Sequence, residues 1–255
     1  MKNKRIFLLN TPVDCLTMDE TVERINHAIR EGKQVIHTCI NAAISVMIAE
    51  DEDACTYVTA GDIISADGVP IIWASKILAE PIPERVSAPD LMDKLVKLAH
   101  KKGYKIYLFG AEQDIVEKVV KKYSKLYSPE LIAGYCNGYY SQSDEEQIAV
   151  EINNSGAEML FVALPSPMKE RFNYHFRHKM PDVKLLMGVG GTFDVISGKI
   201  KRAPLWMQRY GMEWIHRLIK EPRRLWKRYL FGNSKFIILV LSEYLNKLKP
   251  KKTLP

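Results

Sequence analysis

The stretch KIYLFGA, residues 105–111, decides the fold. Large apolar side chains follow one another without polar alternation and stop at a Gly-Ala turn. That is the pattern of a short strand buried on both faces. Residues 114–127 then read as a helix ending before Pro129, and 131–133 as a short strand. Residues 143–155 form a helix, MLFVAL (159–164) a strand, 169–179 a helix and 183–187 a strand, followed by the turn 188–193. Toward the N-terminus the same rhythm gives strands at 5–9, 34–40 and 62–66, with helices at 18–31, 42–50 and 90–100. Strands separated by helices of this length predict an α/β fold, Rossmann-like, with a mostly parallel sheet flanked by helices.

The chain has 255 residues, 47% of them hydrophobic, enough for one well-filled α/β core. Its four cysteines are scattered without a CxxC pair, which argues against a zinc site or a disulfide framework and for reduced thiols in the cytoplasm. The longest apolar run of the tail, residues 236–241, is far short of the ~20 residues a membrane span needs. Charge is unevenly placed. Residues 199–255 hold 15 basic and 3 acidic side chains, a net +12, whereas residues 1–198 sum to −5. We therefore divide the chain into an α/β core, 1–198, and a basic amphipathic appendage, 199–255. Residues 203–220 read as one amphipathic helix, and 222–231 as a second that Gly232 ends. Trp206, Trp214 and Trp226 are interleaved there with Arg and Lys, which suits a membrane interface or an anionic ligand cleft.

Ligands of open parallel sheets bind beyond the carboxyl ends of the strands. Asn41, Asp67-Gly68, Gly110-Ala111, Pro165-Ser166-Pro167 and Gly188-Val189-Gly190-Gly191 fall there. Gly-rich turns leading into helices can aim backbone N–H groups at a phosphate, so Gly110-Ala111 and the GVGG turn are diphosphate candidates. GVGG is not a GxGxxG fingerprint, which counts against a nicotinamide-dependent oxidoreductase. Asp67, at the tip of an apolar strand, could serve as a general base or merely fit its turn. Arg85 could hold a phosphate or pair with Glu84 or Asp90, and Arg217, Arg224 and Arg228 could bind an anion or be ordinary surface charge.

Several blocks in order bear on these alternatives. Cys39-Ile40-Asn41, Ala66-Asp67-Gly68, Glu84-Arg85-Val86 with Asp90, PSPMKE (165–170), GVGGTFDVISGKIKRAP (188–204) and GMEWIHRLIKEPRRLWKR (211–228) together resemble the WecG/TagA/CpsF glycosyltransferase family, family 26, over nearly the whole chain. The resemblance implies inverting transfer of a sugar, typically of the N-acetylmannosamine type, from a UDP-sugar to an undecaprenyl-diphosphate-linked sugar acceptor, without cofactor or bound metal. It implies Asp67 as the base, Asn41 placing the sugar and Arg85 touching donor or acceptor. Thr38, Cys39, Gly68, Asp90, Gly110, Ala111, Lys169, Gly188, Gly190, Gly191 and Asp194 would line the substrate site. Arg202, Arg217, Arg224, Lys227 and Arg228 would meet the acceptor diphosphate and the anionic inner leaflet of the membrane. A cytoplasmic, peripheral protein that self-associates follows from the same resemblance, and nucleic acid is a poorer partner.

Four departures bear on specificity. The family's Thr is Cys39, with Thr38 adjacent; the Gln of its Pro-Lys-Gln-Glu block is Lys169; and family glycines are replaced by Pro70 and Ala88. Lys169 could face a carboxylate, which would make the donor a UDP-uronic acid. A non-catalytic protein that binds anionic membranes is the remaining alternative.

Overall fold

The computed structural model describes residues 4–220 and 222–248. The chain opens with a hairpin, β1 (Arg5–Leu8) and β2 (Thr11–Asp14), followed by α1 (Met18–Arg30), β3 (Val35–Ile40), α2 (Ala42–Glu50), α3 (Glu52–Thr59) and β4 (Ile63–Ala66). Next come α4 (Val69–Ile77), α5 (Ala88–Lys102), β5 (Ile106–Gly110), α6 (Gln113–Leu126), β6 (Ile132–Cys136) and α7 (Glu145–Asn154). The last third holds β7 (Met159–Ala163), α8 (Met168–Phe176), β8 (Leu185–Gly188), α9 (Thr192–Ile196), α10 (Leu205–Arg209), α11 (Glu213–Lys220) and α12 (Pro222–Leu248).

Strands β3 to β8 form one six-stranded sheet in the order β4-β3-β8-β7-β5-β6, every neighbouring pair parallel. β3, β4, β5, β7 and β8 are buried at every position, as their unbroken apolar runs predict, whereas the edge strand β6 is only half-buried. Helices cover both faces. On one, α1, α5 and α6 pack Ile25, Leu95 and Val119 over β5, β7 and β8; on the other, Ile148, Ile152 and Phe172 of α7 and α8 close the core. Local signals match these elements: Thr17 and Glu20 form a reciprocal capping box at the start of α1, and Gly103 ends α5 in the left-handed conformation.

β2, α3 and α4 are additional to the sequence expectation. TPVD lacks strand alternation and contains Pro12, a residue tolerated on an edge hairpin. Its turn places Leu9 and Asn10 at φ 50° and 59°, the paired positive φ of a tight hairpin. The hairpin is locked to the sheet by the buried Asp14 carboxylate, which accepts from Arg5 Nη2 at 2.7 Å and from the Ile64 amide at 2.8 Å.

The tail departs from expectation in two places. The single helix over 203–220 is interrupted between α10 and α11, where Gly211 takes φ 68°. Gly232 does not end a helix; α12 runs through it. An interior glycine costs about 1 kcal/mol, less than is gained by burying Phe236 and Val240 against the hairpin, α2 and α4 at about 1.5–3 kcal/mol each. Three polar ties fix the same helix: Glu243 accepts the Leu9 amide at 2.8 Å, Lys235 meets Glu50 at 2.5 Å, and Lys247 donates to the Leu78 carbonyl at 3.0 Å. Among the described residues, no helix is long and apolar enough to cross a membrane.

Candidate active site

β3 and β4 run in register with Ile40 opposite Ala66, so the next residue of each strand, Asn41 and Asp67, emerges at the same sheet edge. The Asp67 amide still donates to the Ile40 carbonyl at 2.7 Å, and the side chains lie just beyond. Asn41 caps α2 by accepting the Ile44 amide at 3.0 Å. Gly68, at φ 124°, turns the chain straight into α4, whose first turn contains Pro70. A third segment joins them: the Val86 amide donates to the Ala66 carbonyl at 2.9 Å and brings Arg85 alongside.

Asp67 and Arg85 form the centre of the site. Asp67 Oδ2 accepts the Ala88 amide at the start of α5 at 3.3 Å, and Oδ1 lies 3.7 Å from Arg85 Nε. That nitrogen is buried without a hydrogen bond of its own. The rest of the guanidinium is held by the tail: Nη1 donates to the Gln208 carbonyl at 3.2 Å, and Nη2 meets Glu213 at 2.7 Å. Glu213 also lies 3.6 Å from Arg202 Nε. Arg202 in turn grips Asp90 through two nitrogens, at 2.5 and 2.8 Å. Arg202 and a bond from Ser87 hold the Asp90 carboxyl below its ordinary value despite partial burial. The tail reaches this position because Gly211 abuts α4; a Cβ there would stand 2.7 Å from Val69 Cβ.

A cavity of about 530 Å³ opens from this cluster. Asn41, Asp67, Arg85 and Glu213 line it together, and α4 and α12 supply most of the remaining wall, with Ala42, Ala43 and Trp214 completing it.

Lys169 and Glu170 form a second cluster under the ends of β7 and β8. Lys169 Nζ bonds both Glu170 and Ser166, with side chains only 7% and 2% exposed for the Lys and the Glu. The Lys169 methylenes pack over Gly188, so a Cβ there would stand 3.0 Å from Lys169 Cδ and push the chain aside. Cys39 lies between the two clusters, its thiol pushed up to about 12 by burial first and then by the Asp67 and Glu170 charges. Lys169 is thus already paired with a buried carboxylate.

Other expected site residues are engaged in the fold. Thr38 points to the opposite face from Cys39, is buried, and donates to the Val58 carbonyl at 3.2 Å. Two amides of the glycine turns serve the fold, since Ala111 donates to the Ala163 carbonyl at 3.1 Å and Gly190 to Val162 at 3.4 Å. Gly110, at φ 117°, packs so closely on Ala163 that a Cβ would fall 2.6 Å from its backbone. Gly191 precedes α9, where Asp194 lies 3.8 Å from Lys199. The side chains of Arg217, Arg224, Lys227 and Arg228 are outside the described residues. Gln208 and Glu213 are additions: one acid among many bases gives no sequence signal, although Glu213 lies in the GMEW block. Among the described residues, no three His, Cys, Asp or Glu side chains converge as a metal site would require.

An acid beside an arginine at the strand ends of a Rossmann-like sheet suits group transfer, and the family to which the chain belongs makes it a glycosyltransferase. It matches the family described as Glycosyl transferase WecG/TagA/CpsF over residues 6–250 and belongs to it. It is 35% identical over 230 residues to a Bacillus subtilis (strain 168) protein named N-acetylglucosaminyldiphosphoundecaprenol N-acetyl-beta-D-mannosaminyltransferase, covering 89% of this chain and 88% of the relative. A protein of the same name from Bacillus spizizenii (strain ATCC 23059 / NRRL B-14472 / W23) is 33% identical over 195 residues, 76% of this chain and 74% of the relative.

Proposed function

We propose that this enzyme transfers an N-acetylmannosamine-type sugar from UDP to the sugar of a polyprenyl-diphosphate-linked acceptor, inverting the anomeric centre. The observation that carries this reading is the Asp67–Arg85 pair lining the cavity. Asp67 takes the proton of the acceptor hydroxyl as its oxygen bonds to the anomeric carbon. The bond from that carbon to UDP breaks on the opposite face, and UDP leaves with the electron pair. Arg85 balances charge on a phosphorylated group, a task that falls to cations and oriented N–H groups in a reaction that needs no metal. A neutral donor is favoured over a uronic acid because Lys169 is already paired with Glu170.

The same proposal places the enzyme on the cytoplasmic face of the membrane. Trp206, Tyr210, Trp226, Leu230 and Phe231 are all exposed on a tail rich in Arg and Lys, which fits an anionic leaflet. It includes self-association, tested by sedimentation across protein concentrations. The deciding experiment incubates a panel of UDP-sugars with short-chain polyprenyl-diphosphate acceptors and identifies products by mass. Transfer of N-acetylmannosamine is the expected result; its absence with every acceptor would overturn the reading.

A further inference from the structure

The apolar wall of the cavity has a form that transfer chemistry alone does not require. Trp73 and Ile77 stand one helical turn apart on α4, and Ile237 and Leu241 one turn apart on α12, with Ala74 and Phe236 also lining the trough. Ala74 and Phe236 are buried, at 1% and 7% exposure, whereas the four flanking side chains are more than half exposed. Large exposed apolar side chains ranged along a concavity mark a binding surface.

We propose that this trough holds the first isoprene units of the acceptor's polyprenyl chain. The inference rests on the acceptor reading above. In such an acceptor the diphosphate joins sugar to lipid, so the first lipid carbons must leave the site within two phosphates of the reacting sugar. Here the apolar trough begins where Asn41, Asp67 and Arg85 end, within one continuous cavity. Arg85 suits a phosphate, while the walls that α4 and α12 offer are hydrocarbon apart from Asn233. A concave channel continuous with the reacting groups fits one chain better than a bilayer, which would need a flat or convex apolar face. The trough also explains why α12 continues past Gly232: its second half supplies the wall facing α4.

The test uses the full-length enzyme without membranes or detergent. Acceptors are N-acetylglucosaminyl diphosphates esterified with methyl, geranyl or farnesyl groups. KM is expected to fall at least tenfold from methyl to farnesyl, and the fall should vanish in an Ile77→Asp/Ile237→Asp variant whose circular dichroism and UDP binding match wild type. Equal KM for methyl and farnesyl in the wild type, or the same fall in the variant, would overturn the proposal. If no acceptor is elongated, the acceptor reading fails, and the trough is decided by equilibrium binding of methyl and farnesyl diphosphate followed through Trp fluorescence. Photo-crosslinking with a benzophenone-bearing farnesyl diphosphate should label peptides of α4 and α12. Labelling elsewhere overturns the assignment, as does shielding of Trp73 by acceptor-free anionic vesicles or by a second copy of the chain in place of the isoprenoid.

Discussion

Glu213 sets one carboxylate oxygen 2.7 Å from Arg85 Nη2 and the other 3.6 Å from Arg202 Nε, so one acid of the tail bridges a cation of the core and a cation of the tail. It occupies these arginines with the same kind of oxygen ligand that a diphosphate would offer. Glu213→Gln should remove that competition. We expect about tenfold tighter binding of inorganic diphosphate, corresponding to about 1.4 kcal/mol, measured by calorimetry. Weaker binding would show that Glu213 instead holds the arginines in a competent position.

Asp67→Asn keeps the size and the contact with the Ala88 amide but cannot accept the acceptor proton. The kcat for transfer should fall by about 10²–10⁴-fold, while UDP affinity stays as in the wild type. Single-turnover rates by quenched flow would separate this loss from slow product release.

The docking of the tail depends on a missing side chain. Gly211→Ala would bring a Cβ to 2.7 Å from Val69 and force a left-handed φ on a residue that resists it. The expected outcome is faster limited proteolysis within residues 199–220 and reduced transfer, with the sheet core unchanged in thermal melting.

Lys169 and Glu170 are both buried, so each depends on the other. Lys169→Met should cost about 3–5 kcal/mol because Glu170 is left without its cation. Lys169→Gln, which retains a donor for Glu170, should cost less. Denaturant midpoints for the two variants check the order.

The Asp90–Arg202 link makes the joint between core and tail acid-sensitive. Because Asp90 is held below its ordinary value of 3.8 in the folded protein, the link contributes fully above that pH. Its contribution is lost as the pH falls through the depressed value. Thermal melts from pH 5 down to about pH 3 should show this loss in the wild type and not in Arg202→Ala.

How much of this was legible in the sequence follows from where each signal resides. The central strands are legible because burial on both faces demands unbroken apolar runs, as in Met159–Ala163. β2 and α3 are not, since TPVD and the mixed surface of 52–59 carry little periodicity. Asp67 is legible from its place at a strand tip. Its connection to Glu213, far along the chain, is not, because the pairing depends on Gly211 packing against Val69 rather than on local spacing. The placement of Thr38 is a related case: adjacent strand residues face opposite ways, so Thr38 and Cys39 are neighbours in sequence but part in space.

The parallel register that sets Ile40 opposite Ala66 has one last consequence. The separation of Asn41 from Asp67 is fixed by the distance between two hydrogen-bonded strands, a quantity that side-chain substitution hardly alters. Much of the cavity wall comes instead from exposed helical side chains such as Trp73, Ile77, Ile237 and Leu241, whose exchange leaves the core untouched. Mutation of those side chains can therefore retune which molecules enter while the Asn41–Asp67 spacing stays constant, so new preferences can arise without rebuilding the strand ends.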